Sequence, residues 1–285
     1  MKKIILMFLF LSMFSINCFA TPQIVVKSYD EFKDRIKNCL NERLEKIEFI
    51  YIGDDRSLGI VKTGNPTKDE YFIPKLKNDI LNFYSPTQYN YYQFKDIYDD
   101  IKYIDSDLDY KIKHLHIILE IDYYMNAEQT RIAEKALAKL EKELTPIIKY
   151  QYSNYQKVVV IHNKVLEQLT YFKNERTSYS IFGALLENKG VCMSYGLLFQ
   201  RLCEYFNIPC KIVVGDILES NRDAKHMWNM VKLYGQWYHV DTTWDDTDDK
   251  KSYKYFLKSD EFMKSETAGI RMWKWKLYPK CEENF

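Results

Sequence analysis

The chain has 285 residues, with 41 basic and 40 acidic side chains and a net charge of +1 at neutral pH. This balance argues against a nucleic-acid-binding protein, because such a protein is expected to carry a basic excess. The composition, 46% hydrophobic and 28% charged, is ordinary for a soluble protein that buries a core, and the length allows one or two domains.

The first twenty residues have the three parts of a secretory signal peptide. Two lysines are followed by an apolar run over residues 4–14 and by a small residue, Ala20, at the expected cleavage position. The run is shorter than the roughly 20 residues of a membrane-spanning helix. Residues 1–20 are therefore predicted to be removed, leaving no stable membrane span. This indicates a secreted or cell-surface protein. Lipidation at Cys18 is the weaker alternative.

Residues 21–125 are predicted to form a small N-terminal α+β region of unknown role. Its helix is indicated by Ser28 and Glu31, which are spaced as a capping box. The predicted elements, in chain order, are a strand at 23–26, a helix from Ser28, a strand at 47–52, a loop or hairpin over 53–70, an ambiguous segment at 73–84, a stretch without a clear pattern at 89–104, and one or two strands over 111–124.

Residues 126–285 are predicted to form a second region, with a boundary near Asn126. Asn126 caps a long helix that ends at about Leu144, before Thr145 and Pro146, and Ser153 begins another helix. A short helix over 180–187 then leads into a segment that contains a cysteine.

Cys192 stands in the first turn of a helix that is predicted to be buried on most sides. Apolar residues recur at three- and four-residue steps from Cys192 to Phe206, and Asn207 before Ile208 and Pro209 marks the end of the helix. Unpaired N–H groups at a helix N-terminus favour negative charge, so this position favours a nucleophilic thiolate.

Two strands, at 226–233 and 236–243, follow the cysteine helix and are joined by a two-residue turn at Tyr234 and Gly235. This register places Trp228 opposite Asp241 and His226 opposite Thr243. The residues on one face of the hairpin are then His226, Trp228, Met230, Trp237, His239 and Asp241. As diagonal neighbours on that face, His226 and Asp241 are predicted to come within side-chain reach.

This constellation resembles the transglutaminase-like (papain-like) superfamily, in particular its bacterial secreted branch. The resemblance covers about residues 126–265, and the matching residues are Gly190-Val191-Cys192-x-x-Tyr195-Gly196, Ile208-Pro209-Cys210, His226-x-Trp228-Asn229 and Gly235-x-Trp237-Tyr238-His239-Val240-Asp241-x-Thr243-Trp244-Asp245-Asp246. Met227 departs from the Ala that is usual in relatives, which bears on the shape of the pocket. The implied fold is α+β, with a helix carrying the cysteine packed on an antiparallel sheet that carries the histidine and the aspartate.

The resemblance implies that Cys192 is the nucleophile, His226 the acid and base, and Asp241 the residue that orients the imidazole. The implied activity is cysteine-dependent acyl transfer on protein or peptide amide bonds through a thioester, without a cofactor. Transfer to an amine and hydrolysis both stay open. The alternative is a secreted binding module that uses the same groove without turnover.

Three aromatic residues are candidates beside this triad. Tyr179 is a candidate oxyanion donor, and Trp228 and Trp237 are candidate walls of the substrate groove, although aromatic residues on a strand more often serve packing. His239 shares the predicted triad face, but a ring satisfied by local bonds is the simpler interpretation.

No metal site is predicted. Cys192, His226, His239 and Asp241 are suitable zinc ligands, but no paired cysteine or histidine spacing accompanies them. The acidic residues Asp245, Asp246, Asp248 and Asp249 are predicted to form a solvated turn rather than a calcium loop. Removal of the signal peptide leaves an odd number of cysteines, with Cys192 as the candidate free thiol. Disulfide pairing or simple burial stays open for Cys39, Cys203, Cys210 and Cys281.

Overall fold

The structure is a computed structural model that describes residues 24–52, 89–104, 114–149, 152–173, 175–219, 222–247 and 252–285. The predicted signal peptide, the predicted loop at 53–70 and the ambiguous segment at 73–84 lie outside these ranges, as do Asp248 and Asp249. Within the described ranges, no helix has both the length and the apolar character that a membrane crossing needs.

The first region of the fold is a four-stranded sheet with one covering helix, α1 (Tyr29–Asn41). Its strands are β1 (Ile24–Val26), β2 (Lys46–Ile52), β3 (Phe94–Ile104) and β4 (His114–Tyr123), in the order β1-β2-β4-β3. Strand β1 is parallel to β2, and the other pairs are antiparallel. The predicted strand–helix–strand unit is thus confirmed, and the stretch without a clear sequence pattern contains β3.

Helix α1 begins where the sequence indicates and has its own core. The Ser28 side chain accepts a hydrogen bond from the Glu31 backbone N–H, which caps the helix. Phe32 and Ile36 on the helix are completely buried against the sheet, where the Phe32 and Phe49 rings meet edge to face at 4.7 Å.

Three longer helices follow: α2 (Ala127–Leu144), α3 (Asn154–Gln168) and α4 (Cys192–Tyr205). Asn126 and Ser153 form capping boxes at the starts of α2 and α3, which confirms both predicted helix starts. A five-residue π-helix, Gly183–Glu187, leads towards α4. Helix α4 is buried over most of its length, where even its polar residues Ser194 and Gln200 have no exposed surface.

The second sheet carries the candidate site and is antiparallel throughout. Its strands are β7 (Cys210–Glu219), β8 (Arg222–Leu233), β9 (Gln236–Val240), β10 (Phe256–Lys258) and β11 (Arg271–Trp273), in the order β10-β9-β8-β7-β11. Two strands of two residues each, β5 (Thr170–Tyr171) and β6 (Lys189–Gly190), pair in parallel just before α4.

The predicted register of the β8–β9 hairpin is confirmed up to Val240. Tyr234 and Gly235 both have positive φ, as a type I′ turn requires, and Leu233 pairs with Gln236. The predicted end of β9 at residue 243 is wrong: Asp241 accepts the Trp244 backbone N–H and caps a short helix, α5 (Thr242–Asp245). The prediction that His226 faces Thr243 is therefore also wrong.

Close packing of α4 on β8 fixes the distance between the cysteine helix and the histidine strand. A Cβ atom added to Gly196 would lie 3.1 Å from both Cγ and Sδ of Met227. On the same side of β8, Asn229 Nδ2 donates to the Gly196 carbonyl over 3.0 Å. Glycine at this position lets the helix backbone approach the strand, and the buried amide bond sets how the helix lies along it.

Candidate active site

Cys192 is the first residue of α4 and is half-buried. Its predecessor Val191 provides no side-chain cap, so the first turn of the helix keeps backbone N–H groups directed towards the thiol end. Cys192 packs beside Met193 and Tyr179 in one apolar cluster. The predicted placement of this cysteine at the start of a buried helix is confirmed.

His226 and Asp241 are joined by a buried hydrogen bond. Nε2 of His226 lies 2.7 Å from Oδ2 of Asp241, and the two side chains are 5% and 0% exposed. The sequence placed these two groups within reach of each other, and the structure brings them into direct contact. Because Nε2 is bonded to the carboxylate, Nδ1 is the ring nitrogen left for the thiol and a substrate.

The surroundings of His226 favour its protonated form. Burial lowers the pKa of the ring, but the charge and hydrogen bond of Asp241, followed by a hydrogen bond with Cys192, raise it to about 9. An imidazolium next to a thiol stabilises the thiolate by charge, so the three groups suit nucleophilic chemistry. The structure therefore brings the predicted Cys, His and Asp together.

Arg271 is a member of the site that the sequence did not reveal. Its Nη2 donates to Asp241 Oδ2 over 2.7 Å, and both side chains are completely buried. Burial raises the pKa of Asp241, but His226 and then Arg271 outweigh this effect and lower it below the ordinary value. The carboxylate thus stays ionised between two cationic partners.

The three aromatic candidates occupy different positions relative to the triad. Trp228 is only 1% exposed and stacks on the His226 ring at 5.9 Å between centroids, so the prediction that it walls an open groove is wrong. Trp237 pairs with Lys232, six residues along β8 from His226 and thus about 20 Å away. Tyr179 stacks on Tyr124 at 5.8 Å and lies in the apolar cluster of Cys192.

His239 has its ring satisfied locally, as the simpler interpretation predicted. Its Nδ1 accepts the Trp228 indole N–H at 2.9 Å, and its Nε2 lies 2.8 Å from Asp260 Oδ1. Since an indole N–H can only donate, the neutral ring carries its proton on Nε2 and donates it to Asp260. Burial lowers the pKa of His239, which keeps this ring neutral.

This proton arrangement does not suit a metal ion. Within the described ranges, His239, Asp260 and Cys281 offer ligand atoms that lie within 4.8 Å of one another. A metal on Nε2 would need the lone pair that the proton occupies there, while Nδ1 already accepts from Trp228. The ring would have to become an imidazolate, so we assign a hydrogen-bonded cluster rather than a metal site.

The acidic run after Trp244 is partly structural, which corrects its prediction as a solvated turn. Asp245 is completely buried, and its Oδ2 lies 3.0 Å from Nε2 of the equally buried His162. Its Oδ1 accepts the Tyr255 backbone N–H over 2.9 Å. Asp246 accepts a hydrogen bond from the Tyr195 hydroxyl. His162 thus holds the helix that Asp241 caps.

The five cysteines in the described ranges are unpaired. Cys39, Cys203 and Cys281 are buried, and Cys192 and Cys210 are half-buried. Burial raises the pKa values of the Cys203 and Cys281 thiols, so these two groups are poor nucleophiles.

Comparison with known proteins shows that the segment around the candidate site resembles a known family. Residues 142–242 match the model of the transglutaminase-like superfamily, and this segment contains Cys192, His226 and Asp241. The mouse (Mus musculus) kyphoscoliosis peptidase is 22% identical over 162 residues, which cover 50% of this chain and 24% of that protein. The chain thus spans about a quarter of the length of this curated relative.

Two solved structures are similar at low identity. The crystal structure of a TGase is 14% identical, with 80% of this chain and 60% of that chain covered and a TM-score of 0.36. The periplasmic domain of TgpA from Pseudomonas aeruginosa is also 14% identical, with 53% and 72% covered and a TM-score of 0.31.

Proposed function

The chain carries a transglutaminase-like domain, and on this premise we propose that it is a cysteine-dependent acyl-transfer enzyme acting on amide bonds of proteins or peptides. The observation that carries the proposal is the buried His226 ring, which hydrogen-bonds to Cys192 and lies 2.7 Å from Asp241. Cys192, His226 and Asp241 are the proposed catalytic residues.

The proposed reaction has two halves. In the first, the Cys192 thiolate attacks the amide carbonyl, the C–N bond breaks, and Nδ1 of His226 gives its proton to the departing amine. In the second, an amine or a water molecule attacks the thioester, His226 takes the proton from the attacking group, and the C–S bond breaks to restore the thiolate. Asp241 holds the ring in the tautomer that both halves need.

A groove on one face of the second sheet is the proposed position of the substrate. Val214 pairs with Met227, and Asp216 pairs with both Lys225 and Met272, so these side chains share the sheet face that α4 covers. Val214, Asp216, Lys225 and Met272 line a groove of about 550 Å³, whose other wall includes Tyr91 and Tyr92.

The groove adjoins a hollow at the first turn of α4. This hollow, of about 310 Å³, shares Tyr91 and Tyr92 with the groove and is lined by Met193, the residue after Cys192. Open grooves with apolar floors and a few polar groups suit an extended peptide better than an enclosed small molecule. The N-terminal region, 21–125, then has a role that its sequence did not suggest: it supplies one wall of the peptide groove.

The N-terminal sequence pattern supports the proposal that the enzyme is exported and acts outside the cytoplasm. We also propose that 21–125 and 126–285 are distinct regions. Each has its own sheet and buried cluster in the described ranges.

Thiol reactivity tests the proposed chemistry. Brief iodoacetamide treatment near pH 6, followed by mass spectrometry, is expected to label Cys192 at least about tenfold faster than an ordinary thiol. His226→Ala should lower the labelling rate of Cys192 to that of an ordinary thiol. Labelling of Cys192 at the rate of an ordinary thiol would contradict catalysis and favour a binding module.

Product analysis separates the two outcomes of the second half-reaction. The protein is incubated with casein and a fluorescent primary amine, with Cys192→Ala as the control. Incorporation of the amine indicates transfer, whereas ammonia or new peptide termini without incorporation indicate hydrolysis.

A further inference from the structure

Arg271 is a completely buried cation that takes no direct part in the proposed steps. It lies on β11, an edge strand of the second sheet, and Nη2 donates to the same Asp241 oxygen that His226 contacts. Its Nη1 donates to the Ala268 carbonyl. Burial of a charged group is costly unless the group is paired, so the contact with Asp241 is needed to hold Arg271 at this position.

Aromatic rings keep this cation in place. The guanidinium carbon lies 4.3 Å from the ring centroid of Trp244 and 4.7 Å from that of Tyr255. Trp244 also lies beside the His226 ring, with 6.0 Å between centroids. Stacked guanidinium–aromatic contacts are favourable where water is excluded, so Arg271 has little freedom to leave Asp241.

The charges of the reactive site balance only when Arg271 is counted. A Cys192 thiolate and the Asp241 carboxylate carry two negative charges, and protonated His226 supplies one positive charge. Arg271 supplies the second, which makes the site neutral. Without it, a fully buried carboxylate would share a single imidazolium with a thiolate, and the site would hold a net negative charge in a poorly solvated environment.

We propose that Arg271 is a positioning residue for the acyl-transfer reaction: it keeps Asp241 ionised and oriented, and so stabilises the ion pair of Cys192 and His226. This inference rests on the proposed function of the triad. Two donors on one carboxylate oxygen, with the Trp244 N–H on the other at 3.2 Å, leave Asp241 little rotational freedom.

Other titratable groups nearby do not supply the same charge. The pKa of buried Asp245 is raised by burial and, to a smaller extent, by the charge of Asp241, and its cationic partner would be His162. His239 is kept neutral by burial, and the positive charges of Arg271 and Lys264 add to this effect on its pKa. Arg271 is thus the cation that shares the Oδ2 atom of Asp241 with His226.

The test is the pH dependence of Cys192 alkylation by iodoacetamide in wild type and Arg271→Met. Loss of a nearby cation makes every neighbouring acid harder to ionise, so the acid limb should move to higher pH by about one unit. Turnover of casein, as kcat/KM, should fall at least about tenfold. Arg271→Lys keeps the positive charge but loses the planar guanidinium with its several donors. The acid limb of the alkylation profile should therefore move less in Arg271→Lys than in Arg271→Met.

Arg201→Met is the matched control. Arg201 also forms a two-point contact with a carboxylate, at 2.8 Å to each oxygen of Glu134, but it lies away from the triad. Its loss should lower thermal stability and leave the acid limb in place. An unmoved acid limb in folded Arg271→Met, or an equal movement in Arg201→Met, overturns the inference. If wild-type Cys192 itself reacts as an ordinary thiol, the proposed function fails instead.

A double variant covers the case in which Arg271→Met does not fold. Asp241→Asn with Arg271→Met leaves no charge unpaired, so it should fold and be about as active as Asp241→Asn alone. A double variant that is at least about tenfold less active than Asp241→Asn would show that Arg271 acts independently of Asp241, which also overturns the inference.

Discussion

Two histidines of the β8–β9 hairpin, His226 and His239, each contact an aspartate, but their pKa values are shifted in opposite directions. Nε2 of His226 lies 2.7 Å from Asp241, and Nε2 of His239 lies 2.8 Å from Asp260. Both rings are buried, which disfavours the imidazolium in each. Nevertheless, the pKa of His226 is raised to about 9, whereas that of His239 is lowered.

Groups beyond the hydrogen bond to the carboxylate contribute to this difference. The free nitrogen of His226 is directed towards Cys192, an acid that can become negative, whereas Nδ1 of His239 is occupied by the Trp228 N–H. Arg271 and Lys264 add positive charge near His239, which disfavours a second cation. A bond to an aspartate therefore does not make a histidine an acid or a base; the other nitrogen and the surrounding charges do.

The largest expected effect is a difference in kcat/KM between variants of the two histidines. His226→Gln should lower kcat/KM at least about 10³-fold, because the proton donor and acceptor is lost. His239→Gln can still bond to Trp228 and Asp260, so its loss of kcat/KM should stay within about tenfold. Turnover of casein by both purified variants is the measurement, and equal losses would contradict the assigned roles.

The two aspartates give the next contrast. Asp241→Asn should lower kcat about 10²- to 10⁴-fold, since an amide neither balances an imidazolium nor fixes the same tautomer. Asp260→Asn should change kcat less than about tenfold. Kinetics at saturating substrate test both, with circular dichroism to confirm folding; a drop of 10²-fold or more in Asp260→Asn would mean that this pair also takes part in catalysis.

The pH dependence of the free energy of unfolding should show that His226 is stabilising when protonated and His239 when neutral. The folded pKa of His226 lies above its ordinary value of 6.5, so its contribution, about 3 kcal/mol, is complete below pH 6.5 and is lost as pH rises through about 9. The folded pKa of His239 lies below that value, so its contribution is complete above pH 6.5 and is lost as pH falls further.

Urea unfolding between pH 5 and 9 measures these contributions. His226→Gln should flatten the alkaline fall in the free energy of unfolding, and His239→Gln should flatten the acidic fall. If both variants flatten the same limb, the two rings do not differ in charge as described.

The smallest expected effect is a change in KM when the proposed substrate groove is altered. Tyr91→Ala with Tyr92→Ala should raise KM for casein about three- to tenfold and leave kcat within about twofold, because binding but not chemistry is weakened. Tyr98→Ala, an exposed change on β3, is the control and should alter neither constant. An unchanged KM in the double variant would remove the groove from the proposal.

The sequence was informative where chemistry follows local rules. Helical spacing and a stop signal placed Cys192 at the start of α4, and the two-residue turn set the register that brings His226 near Asp241. The end of β9 was missed because Asp241 suits both a strand and a helix cap, and only the Trp244 N–H bond decides between them.

Contacts between residues far apart in the sequence could not be predicted from local patterns. Arg271 stands on a strand of three residues, 30 positions after Asp241, and no local pattern distinguishes it from a surface arginine. His162 meets Asp245 across 83 positions. Trp228 was placed on the correct face, but the later chain, including Met263 and Cys281, covers that face. Burial of this kind depends on the packing of distant segments rather than on alternation within a strand.

The tight turn at Tyr234 and Gly235 has a consequence for how this protein can vary. Side chains there are exposed, and Gly235 has open space where a Cβ would lie, although its φ of 91° favours glycine. Replacement of Tyr234 by asparagine or glycine should be tolerated, because its φ of 51° favours these residues, whereas a codon gained or lost would rotate all of β9 by half a turn and move His239 to the opposite, apolar face. Natural or engineered diversity at this tip is thus restricted both in the number of residues and in their backbone preference.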